Sequence, residues 1–200
     1  MLTVRRTHER GHSSPGWLER YHTFSFGIYH DPDHMGFSNL RVINDDTVAP
    51  GRGFATHGHA DMEIISHVLE GVLAHKDSMG NGSVTRPGDG QRMSAGTGVT
   101  NSEHNHSADE PVHFLQIWLL PNRTGVVPGY GQRSFHLEDR REKLVLPVCP
   151  DGRDGSIAAH EDALLYGKLL ESGQLLSHLL PHGRRVYAHA ANSKANVNGD

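Results

Sequence analysis

An all-β sandwich or barrel is the fold class this sequence predicts. Turn signals recur at intervals of roughly ten residues, the segments between them alternate apolar and polar with period two, and no helical period is visible before residue 120. The 23 glycines and 10 prolines suit short strands joined by tight turns. After a polar start broken by Gly11, Pro15 and Gly16, residues 22–26 alternate and read as a strand. Residues 40–46 form a second, ending near Pro50-Gly51, and residues 54–59, 63–69 and 72–77 continue the series around Gly71. Asn81-Gly82 is a hairpin signal. Residues 91–93 make a short strand after Pro87-Gly88-Asp89-Gly90, and residues 112–120 are the most apolar strand, stopped by Pro121. Beyond Pro128-Gly129, residues 133–143 are charged and irregular, and 144–146 and 156–158 are short apolar pieces. Residues 163–170 fit a strand or a turn or two of helix, 185–188 read as extended, and 190–200 as a polar turn or tail. A boundary between residues 122 and 143 divides a first domain, 1–135, from a second, 136–200.

Composition narrows the function. The 200 residues carry 19 Lys+Arg against 23 Asp+Glu, a net charge of −4, so no basic excess marks a nucleic-acid binder. No apolar run approaches the roughly 20 residues of a membrane helix, and no apolar stretch follows Arg5-Arg6 as in a secretory leader. A single cysteine, Cys149, rules out an internal disulfide framework. A cytoplasmic protein is expected. The 17 histidines are the unusual figure, since histidine is the commonest metal ligand.

Two short segments carry the chemistry. His57 and His59 stand two residues apart, and on a strand such a pair shares one face, so both rings can converge on one ion. In a chain this rich in histidine the pair can also be two solvated or hydrogen-bonded rings. Asn101, Glu103 and Asn105 share a face in the same way, after Gly96 and Gly98. A carboxylate on an inward strand is paired or metal-bound, whereas one that points outward meets a lysine or arginine. Phe54, Met62, Phe114 and Trp118 read as core rather than as surfaces for an aromatic ligand.

The pattern Gly51, His57-x-His59, Glu63 and Gly71 resembles the first cupin motif, and Pro87-Gly88-Asp89 followed by residues 98–105 resembles the second. More narrowly, the chain is similar to the bacterial branch of the pirin family across residues 1–190. The match is carried by Arg10-Gly11-His12, Trp17, residues 22–26 and 40–46, Asp61-Met62-Glu63-Ile64, Leu69-Glu70-Gly71, Asp77-Ser78-Met79-Gly80, residues 93–98 and Gln116-Ile117-Trp118. The resemblance implies a bicupin: a jelly-roll-like cupin barrel, then a second cupin-like domain, shortened here. It also implies one divalent transition metal, among Fe, Mn, Ni, Co, Cu and Zn, held at His57, His59, residue 101 and Glu103. Relatives of this branch include quercetin 2,3-dioxygenases, which open flavonols with O₂; some eukaryotic members are nuclear co-regulators.

Residue 101 is Asn where that motif has histidine, and an amide oxygen is a weaker donor than imidazole for such a metal. His57, His59 and Glu103 alone have the composition of the 2-His-1-carboxylate triad of non-haem iron oxygenases. His104 points to the opposite strand face from Glu103. Glu63 is expected to orient a ligand imidazole, and His75 lies outside the constellation. Two functions follow. The first is a quercetinase-like dioxygenase, with Glu103 as ligand and general base and with a flavonol-like aromatic and O₂ as substrates. The second is a non-catalytic regulatory protein that binds a metal or ligand at a weakened site. Residues 147–200 are too few to close a barrel alone, so they are expected to dock on the first barrel or on a second copy in a homodimer.

Overall fold

The computed structural model describes residues 2–199; Met1 and Asp200, the two ends of the segments read above as leader-free start and polar tail, lie outside the described residues. Eleven strands build the first part: β1 (Gly11–Ser13), β2 (Leu18–His22), β3 (Leu40–Val48), β4 (Gly53–His59), β5 (Glu63–Glu70), β6 (Leu73–Asp77), β7 (Gly82–Thr85), β8 (Asp89–Ser94), β9 (Val99–Asn105), β10 (Val112–Leu119) and β11 (Gly129–Ser134). They form a seven-stranded sheet in the order β1-β2-β3-β10-β5-β8-β11 and a four-stranded sheet in the order β4-β9-β6-β7. Every pairing within these sheets is antiparallel. This is the cupin-type barrel.

Strand period assigns each residue of the large sheet to one of two covers. Phe114, Val68 and Val48 turn inward and meet Leu73 from the small sheet; Ile64 and Met93 meet Val99 in the same way. Ile65, Leu115 and Ile117 turn outward and pack against Val148, Ile157 and Ala159 of the second part. Burial on both faces is why residues 112–120 read as one continuous apolar run.

The second part holds α1 (Leu137–Glu142), β12 (Val145–Cys149), β13 (Ile157–Ala158) and β14 (Leu165–Gly167). β12 is the middle strand, parallel to β13 and antiparallel to β14, and all five of its residues are buried. Residues 168–199 carry no helix or strand. One piece of this segment returns to the barrel: Tyr187 lies with its ring centroid 5.5 Å from both Phe24 and Phe37. No helix among the described residues is long and apolar enough to cross a membrane.

Three local readings change. The strand expected over 22–26 runs instead over Leu18–His22, after which the backbone bends. The residue types alternate there, but residues 22–25 are all buried, 23–25 in a loop: Thr23 N–H donates to Ile43 O, and Ser25 N–H to His34 O. The irregular run 133–143 contains α1, whose charges disguised it; Glu138 and Asp139 open it and Arg140 and Arg141 close it, in the order its dipole favours. Residues 185–188 join no ladder, and Tyr187 is fixed by ring packing alone.

Glu161 is completely buried at the junction of the two parts, its Oε1 without a donor. Burial pushes its carboxyl up to about 8, and Glu63 nearby pushes the same way. The unfolded chain releases this proton near pH 4.3. Between these values the folded state holds a proton that the unfolded state has lost, so this group's contribution falls as pH rises. Glu161→Gln is therefore expected to match the wild type near pH 4.5 and to melt higher than it at pH 8; thermal melts at the two pH values check this.

Candidate metal centre and aromatic cleft

The register of β4 on β9 places the predicted residues. Phe54 pairs with Glu103, and His57 with Asn101, so three steps on β4 match two on β9. The extra residue is a β-bulge, and it flips the parity so that Phe54, His57 and His59 all face inward with Asn101 and Glu103. Gly53 makes the approach possible: a Cβ there would lie 2.2 Å from the Glu103 carbonyl oxygen. A Cβ at Gly58, between the two histidines, would meet nothing within 4 Å.

His57 and His59 stand edge to face with ring centroids 4.6 Å apart. His57 Nδ1 donates to the Ala55 carbonyl at 2.8 Å, which leaves Nε2 as the free lone pair. His59 is half-buried, 5.1 Å from the Trp118 ring. Burial and the neighbouring His57 push its pKa down to about 4, while the Asn101 amide works weakly the other way. His59 is thus a neutral imidazole at physiological pH. Asn101 is buried, and its Oδ1 has no hydrogen-bond partner.

Glu103 is 2% exposed and fully engaged. Ser66 Oγ donates to Oε1 and Gln116 Nε2 donates to Oε2, each at 2.8 Å. The donors come from β5 and β10, so this carboxylate on the small sheet is gripped by the large one. Among the described residues, no three His, Cys, Asp or Glu side chains stand close enough together to hold an ion. The structure thus brings the two imidazoles together and places Asn101 and Glu103 on their face, with the carboxylate bound to Ser66 and Gln116.

Other readings resolve as follows. Glu63 turns to the outer face, accepts from Ser94 Oγ at 2.8 Å and lies 4.0 Å from Arg92, so it orients no ligand imidazole. His104 is exposed on the opposite face from Glu103, as its spacing requires. His75 is not remote: it pairs directly with Glu103 across β6–β9 and is buried between Asp77, which accepts from its Nε2 at 3.2 Å, and Gln91. Phe114 is a core residue, and Met62, Phe54 and Trp118 pack against the core from its edge. Phe54 and Trp118 also line a cleft of about 660 Å³ together with His57, His59, Trp17 and Arg20. Ser66 and Gln116 were legible as polar residues stranded in apolar runs; Arg20 carried no signal.

Residues 3–119 match the Pirin family model, and residues 146–200 match the model of the quercetinase C-terminal cupin domain. The chain belongs to the pirin family. It is 46% identical over 199 residues to quercetin 2,3-dioxygenase of Escherichia coli (strain K12), covering 100% of this chain and 85% of that protein. It is 42% identical over 200 residues to a putative quercetin 2,3-dioxygenase of Pseudomonas aeruginosa, covering 99% and 86%. Among solved structures, the E. coli pirin YhhW in complex with nickel(II) superposes with a TM-score of 0.77 at 50% identity, over 81% of this chain and 69% of that one. The pirin cupin barrel is thus shared across the part that holds the two imidazoles.

Removing one donor from the Glu103 carboxylate leaves a buried charged oxygen short of a partner. Gln116→Leu is expected to lower stability by about 1–3 kcal/mol, and to cost much less in a Glu103→Leu background. Urea unfolding of the four proteins in this cycle measures the coupling.

Proposed function

We propose that this pirin is a metal-dependent dioxygenase that opens flavonol-like aromatics with O₂. One observation carries the reading: two imidazoles with free or neutral nitrogens stand on one barrel face with a buried carboxylate, at the side of a cleft with aromatic walls. Sequence similarity to proteins named quercetin 2,3-dioxygenase supports it.

The donor types suit a divalent metal, but as placed the three side chains do not stand close enough together to hold it, and Glu103 would have to exchange a bond to Ser66 or Gln116 for the ion. His57 offers Nε2 because Nδ1 is tied to Ala55, a tautomer lock of the kind that orients ligand imidazoles. His59 offers a neutral ring, Glu103 a carboxylate oxygen, and Asn101 a buried amide oxygen beside His59. His57, His59 and Glu103 would hold the ion, with Asn101 as a weak fourth donor. The ion, when bound, would act as a Lewis acid toward the flavonol oxygen. Glu103 takes the proton from the phenolic O–H on one oxygen, and a hydrogen bond from Ser66 or Gln116 to the other holds the carboxyl in place. Trp118 and Phe54 flank the ring and keep bulk water from it. Nickel is the first metal to test, because a nickel(II) complex exists for a bacterial pirin. The second reading, a regulatory protein that binds without turnover, draws on the amide at position 101.

His57→Ala and Glu103→Ala are expected to lose bound metal, since three strong donors leave no redundancy. Elemental analysis of untagged protein decides this; a full equivalent retained in Glu103→Ala would sink the assignment. Asn101→His should tighten metal binding by about one to two decades and raise oxygen uptake with quercetin. Competitive titration read beside an oxygen electrode separates the two readings: tighter binding with no uptake favours the regulatory protein.

A further inference from the structure

The cleft beside the two imidazoles has flat apolar walls and a polar lining of one sign. Trp17 meets Phe54 edge to face at 5.2 Å, and Phe26 meets Trp118 edge to face at 5.1 Å. Arg20 and Arg52 line the same space, and no Asp or Glu among the described residues does so.

Arg20 is the built element of this lining. It lies directly opposite Asp46 in the β2–β3 register. Its Nε and Nη2 donate to the two Asp46 oxygens at 2.6 and 2.5 Å. Asp46 itself is completely buried. The guanidinium carbon sits 5.5 Å from the Phe26 ring centroid and 5.0 Å from that of Phe54. A guanidinium fixed along one edge and bracketed by two rings has lost its rotamer freedom before any ligand arrives. The Nη1 edge is left over, and no acceptor among the described residues takes it. Asp46 balances the charge of Arg20 and aims the fork; exposed Arg52 adds a positive charge with no ion-pair partner among the described residues.

We infer that Arg20 determines the specificity of this cleft, by donating from Nη1 to the ionised oxygen of a planar aromatic acid whose ring lies among Trp17, Phe26, Phe54 and Trp118. The ligand class is a flat aromatic with a carboxylate or an acidic phenolate set away from the imidazoles. This inference rests on the cleft being the substrate site, and it adds what that site selects. It also gives the Arg20–Asp46 pair a role beyond joining β2 to β3: a pair present only for the fold would be indifferent to ligand charge.

The chain has two tryptophans, and both line the cleft, so quenching of intrinsic fluorescence reports its occupancy. The probes are 2-naphthoate and its uncharged counterpart 2-naphthamide. The wild type is expected to bind naphthoate about tenfold tighter, as one charge-assisted hydrogen bond provides. The double variant Arg20→Gln/Asp46→Asn removes the fork without stranding a buried carboxylate. It should lose that preference while holding naphthamide within about twofold. Arg20→Lys, which keeps charge but not the fork, should keep only part of the preference. Equal binding of the two probes by the wild type, or a preference that survives in the double variant, would overturn the inference. Oxygen uptake with quercetin is measured on the same samples. Preference without uptake removes the dioxygenase reading and leaves Arg20 its role; uptake without preference does the reverse.

Discussion

A carboxylate buried inside a barrel has to be answered from across the barrel, and here the answer joins the two sheets. Glu103 projects from the four-stranded sheet and is held by Ser66 and Gln116 of the seven-stranded one. Those two donors face the barrel interior between apolar neighbours, and each would be a liability without its partner. Once the pair of bonds is made, the register of β9 against β5 and β10 is tied to a specific polar contact and not only to apolar packing. His75, Asp77 and Gln91 extend the polar interior beneath it. The imidazoles of β4 then take their places from β9, by way of the bulge after Phe54.

Much of this was legible in the residues. Strand patterning located seven of the first eleven strands, β3 to β6 and β8 to β10, because the barrel has one inner and one outer cover and the pattern reports which is which. Spacing also set His57 beside His59 and Asn101 beside Glu103, while joining the two pairs at one site rested on the family resemblance, and the bulge that brings Phe54 onto that face was not foreseen. What escaped had a physical reason in each case. Residues 22–26 alternate in type, but 22–25 are all buried, and a loop rather than a ladder buries 23–25. α1 is six residues long and lacks an apolar stripe. Glu63 sits one parity step from the inner face, and its four-residue distance from His59 spans a turn that resets the alternation. Arg20 is invisible to spacing rules, since its role depends on Asp46, which is 26 residues away in sequence and adjacent only in the sheet.

The two carboxylates Glu103 and Glu161 show how differently burial can be resolved in one chain. The first has two donors, both on strands. The second has one oxygen with no partner, and its proton is drawn upward to about 8. The contact between the barrel and the second part therefore favours a neutral carboxyl at Glu161, whereas Glu103 is met inside the barrel by two hydrogen-bond donors.

The segment around Tyr187 sets a different kind of limit on the molecule. Residues 168–199 have no ladder, so most of their amides lack the protection that the barrel strands enjoy. Beyond the bonds of residues 168–171 to Arg140 and Arg141, their attachment is an aromatic plug: one ring between Phe24 and Phe37, with Arg185 stacked on Phe37 at 5.2 Å and Arg184 paired to Asp162. Withdrawing that plug breaks no strand pairing, so it can occur as a local opening well below the free energy of global unfolding. Such an opening bares two phenylalanines of the loop between β2 and β3, which lies over the outer face of an otherwise intact sheet. In hydrogen-exchange terms the chain has a fast-exchanging strap over a slow barrel, and the sticky surface that appears first under mild stress belongs to the barrel and not to the strap.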